Sequence, residues 1–153
     1  MIIGSISENK NVEKRISITP DIAKKYIING FQILLENDYG SHLGISDEEF
    51  LKVGCKIEKK ENILHQSDIV LQLDLPEENN LEFFKENKFL IGSFNANQNL
   101  EKINKFKSKK ISIFSLELLP RITRAQSMDI LSSQANLAGY KAVVDSFAKF
   151  KKA

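Results

Sequence analysis

Residues 19–36 read TPDIAKKYIINGFQILLE, and this run sets the grammar of the chain. Thr19 can cap a helix with its hydroxyl, Pro20 suits the first turn, and Asp21 complements the positive end of the helix dipole. The pattern predicts a helix to about Asn29, stopped at Gly30. Phe31–Glu36 then switches to a short apolar run of the length of a core strand. Working outward toward the N-terminus, Ile2–Ile6 is a second such run, so the unit is strand, helix, strand.

The same alternation continues toward the C-terminus. Residues 37–44 form a loop with two glycines, and Ser46 with Glu49 makes a capping box for a short helix ending near Gly54. Cys55–Ile57, Asp68–Leu73, Phe89–Ser93 and Ile111–Phe114 read as further strands, with a polar helix over about Leu100–Ser108. Strand and helix in turn imply an α/β fold: a mostly parallel sheet with helices on both faces, flavodoxin-like. The last helix is expected from about Ala125 to Phe150, about 39 Å at the α-helical rise. Met128, Leu131, Ala135, Ala138, Gly139 and Ala142 share one face, mostly small enough for close packing. Its first half is expected to pack on the sheet, and the rest to reach toward a further domain, before a lysine-rich end at 151–153. The 153 residues contain neither an internal repeat nor a low-complexity linker and are read as one domain.

Bulk properties exclude several classes. Charged residues are 27% and apolar residues 42%, with 22 basic against 20 acidic side chains. A net charge of +2 without a clustered basic face argues against nucleic acid. Lys105–Lys110 reads as a solvated helix end. The single cysteine, Cys55, cannot form an internal disulfide and is expected to be a buried neutral thiol. His42 and His65 stand outside any HExxH or CxxC pattern, so no metal site is expected. No stretch of 18 apolar residues is present to span a bilayer, and the N-terminus reads as a strand rather than a signal peptide.

The chemistry concentrates in residues 118–143, LLPRITRAQSMDILSSQANLAGYKAV. On the expected helix, Gln126, Asp129 and Ser133 share a face, with Ser132 beside Asp129. An amide, a carboxylate and hydroxyls together can donate to and accept from a carboxamide. Arg121 and Arg124 offer planar forks to a phosphate or ribose. Spacing alone equally fits solvated residues that cap a helix.

This stretch closely resembles the nicotinamide-side loop of the NAD(H)-binding alpha subunit of proton-translocating NAD(P) transhydrogenases. The likeness covers the whole chain, most strongly from Glu117 to Val144. It implies the N-terminal domain of the alanine dehydrogenase/transhydrogenase family, with the dinucleotide-binding Rossmann domain absent from these residues. None of the seven glycines forms G-x-G-x-x-G. The resemblance implies NAD(H) as the bound nucleotide and NADP(H) on a partner domain. It assigns Arg121, Gln126 and Asp129 to the reaction site, with Arg121, Gln126, Asp129, Ser132 and Arg124 contacting nucleotide. It implies as partners the Rossmann-containing remainder of the subunit, the NADP(H)-binding and membrane subunits, and a second copy in a homodimer. The expected location is cytoplasmic, at the inner membrane through those subunits.

A second likeness is to alanine dehydrogenases, where an arginine in the first loop holds the substrate carboxylate; Arg15 matches it. Those enzymes carry a lysine in a strand-end motif of the LKVKEP kind and a histidine after the next strand. Here residues 71–76 are LQLDLP, with Asp74 at the lysine position, and Ser93-Phe94-Asn95-Ala96 lacks the histidine. Amino-acid dehydrogenation is therefore disfavoured, and Arg15 is read as structural, pairing a buried carboxylate. The remaining alternative is a non-catalytic module that only binds a partner subunit.

Overall fold

The computed structural model describes residues 1–151; Lys152 and Ala153 of the lysine-rich end lie outside the described residues. The chain divides into two compact units, Met1–Ser115 and a second from Leu116 onward. In the first, the strands are β1 Ile2–Ser5, β2 Gln32–Glu36, β3 Lys56–Glu58, β4 Ile69–Leu71, β5 Phe89–Gly92 and β6 Ser112–Ser115. The helices are α1 Pro20–Ile28, α2 Asp47–Lys52, α3 Lys60–Gln66 and α4 Leu100–Ser108. All strand pairings are parallel, in the order β3-β2-β1-β4-β5-β6. That is the six-stranded doubly wound order; the flavodoxin order, 2-1-3-4-5, has one strand fewer on the early side of the switch.

Local chemistry explains the elements. The Thr19 hydroxyl accepts from the Ile22 amide, Pro20 opens α1, and Gly30 takes φ +85° to end it, a conformation that costs a glycine little. Ser46 and Glu49 make the reciprocal capping box of α2. Strand β2 alternates faces: Leu34 joins one core cluster, and Ile33 and Leu35 join the other. One cluster lies under α1 and α2, with Ile18, Ala23, Tyr39 and Phe50 fully buried. The other lies under α3 and α4, where Ile63, Leu64 and Phe106 pack against Val70 and Leu90. The two clusters make a layered core with helices on both faces. Cys55 is buried, and burial pushes its thiol up to about 11, so it stays protonated.

A buried polar network ties the early strands together where the chain reverses direction across the sheet. The Ser5 hydroxyl lies 2.8 Å from the Tyr39 hydroxyl and donates to the Leu71 carbonyl at 2.7 Å. Tyr39 also accepts from the amides of Ser17 and Ile18, at 3.0 and 3.2 Å. This network fixes the first loop against the ends of β1 and β4.

The second unit contains a 3-10 turn at Leu116–Leu118, another at Thr123–Met128, and the long helix α5, Ile130–Lys149. One expectation changes here. The helix starts at Ile130 rather than near Ala125, and none of its residues is buried. No helix among the described residues is long and apolar enough to cross a membrane.

Candidate functional site

The chain leaves the carboxyl end of β6 and enters a polar pocket of about 290 Å3 built entirely from residues 116–131. Leu116, Leu119, Pro120, Ile122 and Leu131 supply apolar walls. Arg121, Gln126 and Asp129 supply the polar groups. Ala125, on the 3-10 turn, is buried and lines the pocket, while Arg121 and Gln126 stay exposed. The volume sits just under the range of small-molecule sites, enough for a headgroup and not for a dinucleotide.

Asp129 is the hinge of this arrangement. It adopts extended backbone angles, φ −75° and ψ 92°, and caps α5. Its Oδ1 accepts from the amides of Leu131 and Ser132, both at 3.0 Å, and Oδ2 accepts from the Ser132 hydroxyl at 2.6 Å. The Ser132 hydroxyl and amide hold the carboxyl below the usual carboxylate range, and the Arg121 charge adds to this. Asp129 is therefore a fixed anion at neutral pH, aimed by the helix start.

This geometry corrects the expected helical face. Gln126 lies on the 3-10 turn, Asp129 is the cap, and Ser133 is inside α5, so the three do not share one helical surface. The physical reason is local competition. The short aspartate side chain binds the free amides ahead of it more readily than it continues a helix. Pocket formation nonetheless brings Arg121, Gln126 and Asp129 together. Ser132 reaches the site through Asp129, and Arg124 is not among the lining residues. Glu117 and Thr123 line the pocket and carried no signal in the sequence beyond their place in the loop.

The positions matching alanine dehydrogenase lie in the first unit. Arg15 pairs with its loop neighbour Glu13 at 2.6 Å, with about half of the Arg15 side chain exposed. The Asp74 carboxylate accepts from the amide of Leu75 at 2.8 Å, and its own amide faces the Glu8 carboxylate at 3.4 Å. Among the described residues, no three histidine, cysteine, aspartate or glutamate side chains converge as metal ligands would.

The chain is similar to known proteins along most of its length. The family model described as "Alanine dehydrogenase/PNT, N-terminal domain" matches residues 4–138. The "NAD(P) transhydrogenase subunit alpha" of Haemophilus influenzae is 35% identical over 98% of this chain and 29% of its own length. The transhydrogenase of Sinorhizobium meliloti superposes with a TM-score of 0.91 at 32% identity, over 100% of this chain and 46% of that one. "Alanine dehydrogenase 1" of Staphylococcus aureus is 24% identical over 94% of this chain and 38% of its own length. The chain thus spans less than half the length of the relatives it matches. A parallel sheet of this order, with a polar loop following its last strand and a match across most of its length, belongs to the alanine dehydrogenase/PNT N-terminal domain family.

Proposed function

We propose that this chain is the nicotinamide-side portion of the NAD(H)-binding component of a proton-translocating NAD(P) transhydrogenase. In the overall reaction a hydride leaves NADH for NADP+, giving NAD+ and NADPH, and the intact assembly couples this to proton movement. The observation that carries the reading is the pocket of residues 116–131, where a guanidinium, a carboxamide and a fixed carboxylate face one small space. Relatives at 35% and 36% identity are named as NAD(P) transhydrogenase alpha subunits or portions of them.

The residues present suit a nicotinamide and its ribose. Gln126 can both donate to and accept from the carboxamide. Asp129, an anion with two amides and a hydroxyl already on it, keeps capacity to accept a ribose or amide proton. Arg121 offers a planar fork to a ribose or phosphate oxygen. The apolar walls hold the ring and exclude water. No acid or base is required of the chain, because the hydride passes directly between two rings; the protein supplies orientation and a dry contact. The glycine fingerprint for the pyrophosphate is absent from these 153 residues, so a Rossmann-containing remainder completes the NAD(H) site. NADP(H) belongs to a partner domain, and the membrane step to further subunits, with a homodimer of the NAD(H) component.

The test uses the complete assembly. Asp129→Asn and Gln126→Leu should each lower transhydrogenation about tenfold to a hundredfold, as expected for one lost polar contact in the transition state. Melting temperature should stay near wild type. Undiminished activity in both variants refutes the assignment. A second reading, a module that only binds a partner, draws on the absence of any buried residue along α5. Under that reading the two variants assemble and turn over normally, whereas changes on α5 prevent assembly.

A further inference from the structure

Glu117 is the charged group of the 116–131 pocket to which the nicotinamide reading gives no task. It lies in the 3-10 turn Leu116–Leu118, directly after β6, and is half-buried. Among the described residues, two carboxylates, Glu117 and Asp129, therefore line the pocket with one guanidinium, Arg121. Asp129 already feels the Arg121 charge, which helps to hold its carboxyl low. The remaining lining residues carry no charge. The lining groups thus hold one negative charge in excess.

Hydride transfer changes the charge of the ring that would sit among them. The dihydronicotinamide of NADH is neutral. Its C4–H bond breaks and the electron pair leaves with the hydrogen, so the ring becomes a pyridinium cation. The hydride forms a new bond at C4 of NADP+, whose ring loses its charge. A carboxylate held beside the NAD(H) ring stabilises the cation and leaves the neutral ring almost unaffected. Gln126 does not separate the two forms in this way, because both rings carry the same carboxamide.

We propose, resting on the nicotinamide reading of this pocket, that Glu117 distinguishes the oxidised ring from the reduced one: its carboxylate favours the pyridinium cation that hydride departure creates.

The size of the pocket sets the magnitude. A space of about 290 Å3 is about 8 Å across, so a charge on its wall lies within that distance of a ring inside it. Between an effective dielectric of about 20 and that of water, one unit charge at about 8 Å changes the affinity for a cation about twofold to thirtyfold. Glu117 is half-buried, so solvent screening places the effect at about threefold to tenfold. In the complete NAD(H)-binding component, Glu117→Gln should weaken NAD+ by this factor and leave NADH unchanged. The midpoint potential of the bound pair then rises, by about 30 mV for each tenfold change in the ratio of the two affinities.

The experiment is an NMR titration of the labelled 153-residue chain with two probes, nicotinamide and 1-methylnicotinamide. Both carry the ring and its carboxamide, and the second is a permanent cation. Tetramethylammonium, a cation without the ring, is a separate arm. Wild type should bind 1-methylnicotinamide more tightly than nicotinamide, with both probes shifting the Gln126 side-chain amide. Glu117→Gln and Glu117→Ala should each lower the affinity for the cationic ring about threefold to tenfold and leave nicotinamide unchanged. Glu117→Asp, which keeps the charge, should retain the preference. Thermal melting first confirms that each variant is folded. An unchanged ratio of the two affinities in the charge-free variants overturns the role of Glu117 while the nicotinamide reading stands. Equal shifts with tetramethylammonium overturn it too, as attraction of any cation. Failure of both nicotinamide probes to shift residues 116–132 removes the reading and the inference together.

Discussion

Glu8→Gln removes a carboxyl that burial pushes up to about 7 from an ordinary value of 4.5. The sign of its effect on stability follows from proton counts. Between pH 4.5 and 7 the folded protein keeps a proton that the unfolded chain has given up, so stability falls as pH rises. The contribution is fully present below pH 4.5 and lost by about pH 7. The displacement from 4.5 to about 7 sets a ceiling of about 3 kcal/mol. Glu8 is partly open to solvent, so screening reduces this to about 1–2 kcal/mol. Glutamine can still accept the Leu73 amide but cannot titrate. Urea unfolding of wild type and Glu8→Gln at pH 4.5, 6 and 8 reads the term together with its coupling to Asp74 and Glu13, because titrating groups that do not interact with Glu8 cancel in the difference. Wild type should lose about 1–2 kcal/mol relative to the variant across this range. For a domain of this size that is roughly 2–8 °C in melting temperature. Parallel pH curves refute the reasoning, and a wild type that gains stability relative to the variant reverses its sign.

Other expectations follow from the fold. Gly92→Ala places a Cβ 2.0 Å from the Gln72 carbonyl oxygen and 2.4 Å from the Phe94 ring, and a backbone oxygen cannot move aside cheaply. The variant should lose about 3 kcal/mol or more, read by urea melts. Tyr39→Phe leaves the Ser17 and Ile18 amides without their acceptor and should cost about 2–4 kcal/mol with an unchanged urea m-value. In the 116–131 pocket, Asp129→Ala should shorten the start of α5, because Leu131 and Ser132 lose their cap; amide exchange at those two positions should accelerate, while the residues of β1–β6 keep wild-type protection.

Much of the fold is legible in the sequence because the signals are local. Each strand is a short apolar run bounded by turn or cap residues, and Thr19-Pro20-Asp21, Gly30 and the Ser46–Glu49 box mark helix ends within four residues of themselves. Helix α3, Lys60–Gln66, escapes because Lys59 gives no side-chain cap and seven residues hold only Ile63 and Leu64 as buried anchors. The start of α5 is misread for a different reason. The run from Ala125 to Leu131 suits a helix by composition, while Asp129 with Ser132 three residues on is a cap signal that breaks it. Arg121, Gln126 and Asp129 could be named together because they lie within nine residues of one another. The contacts where the strand order reverses could not, because they depend on Glu8 meeting amides 65 and 66 residues away and on Gln72 facing Ile6.

The central claim is that the pocket of residues 116–131 receives the nicotinamide end of NAD(H). Its most direct test is a titration of the isotopically labelled 153-residue chain with NADH, followed by amide and side-chain NMR signals. The account predicts weak binding, with a Kd near or above about 1 mM, because the phosphate-binding glycines are not in the chain. Shifts should concentrate on the Gln126 side-chain amide, Arg121 and the Asp129–Ser132 cap, and β1–β3 should stay silent. Micromolar binding, or shifts centred anywhere other than residues 116–132, would contradict it.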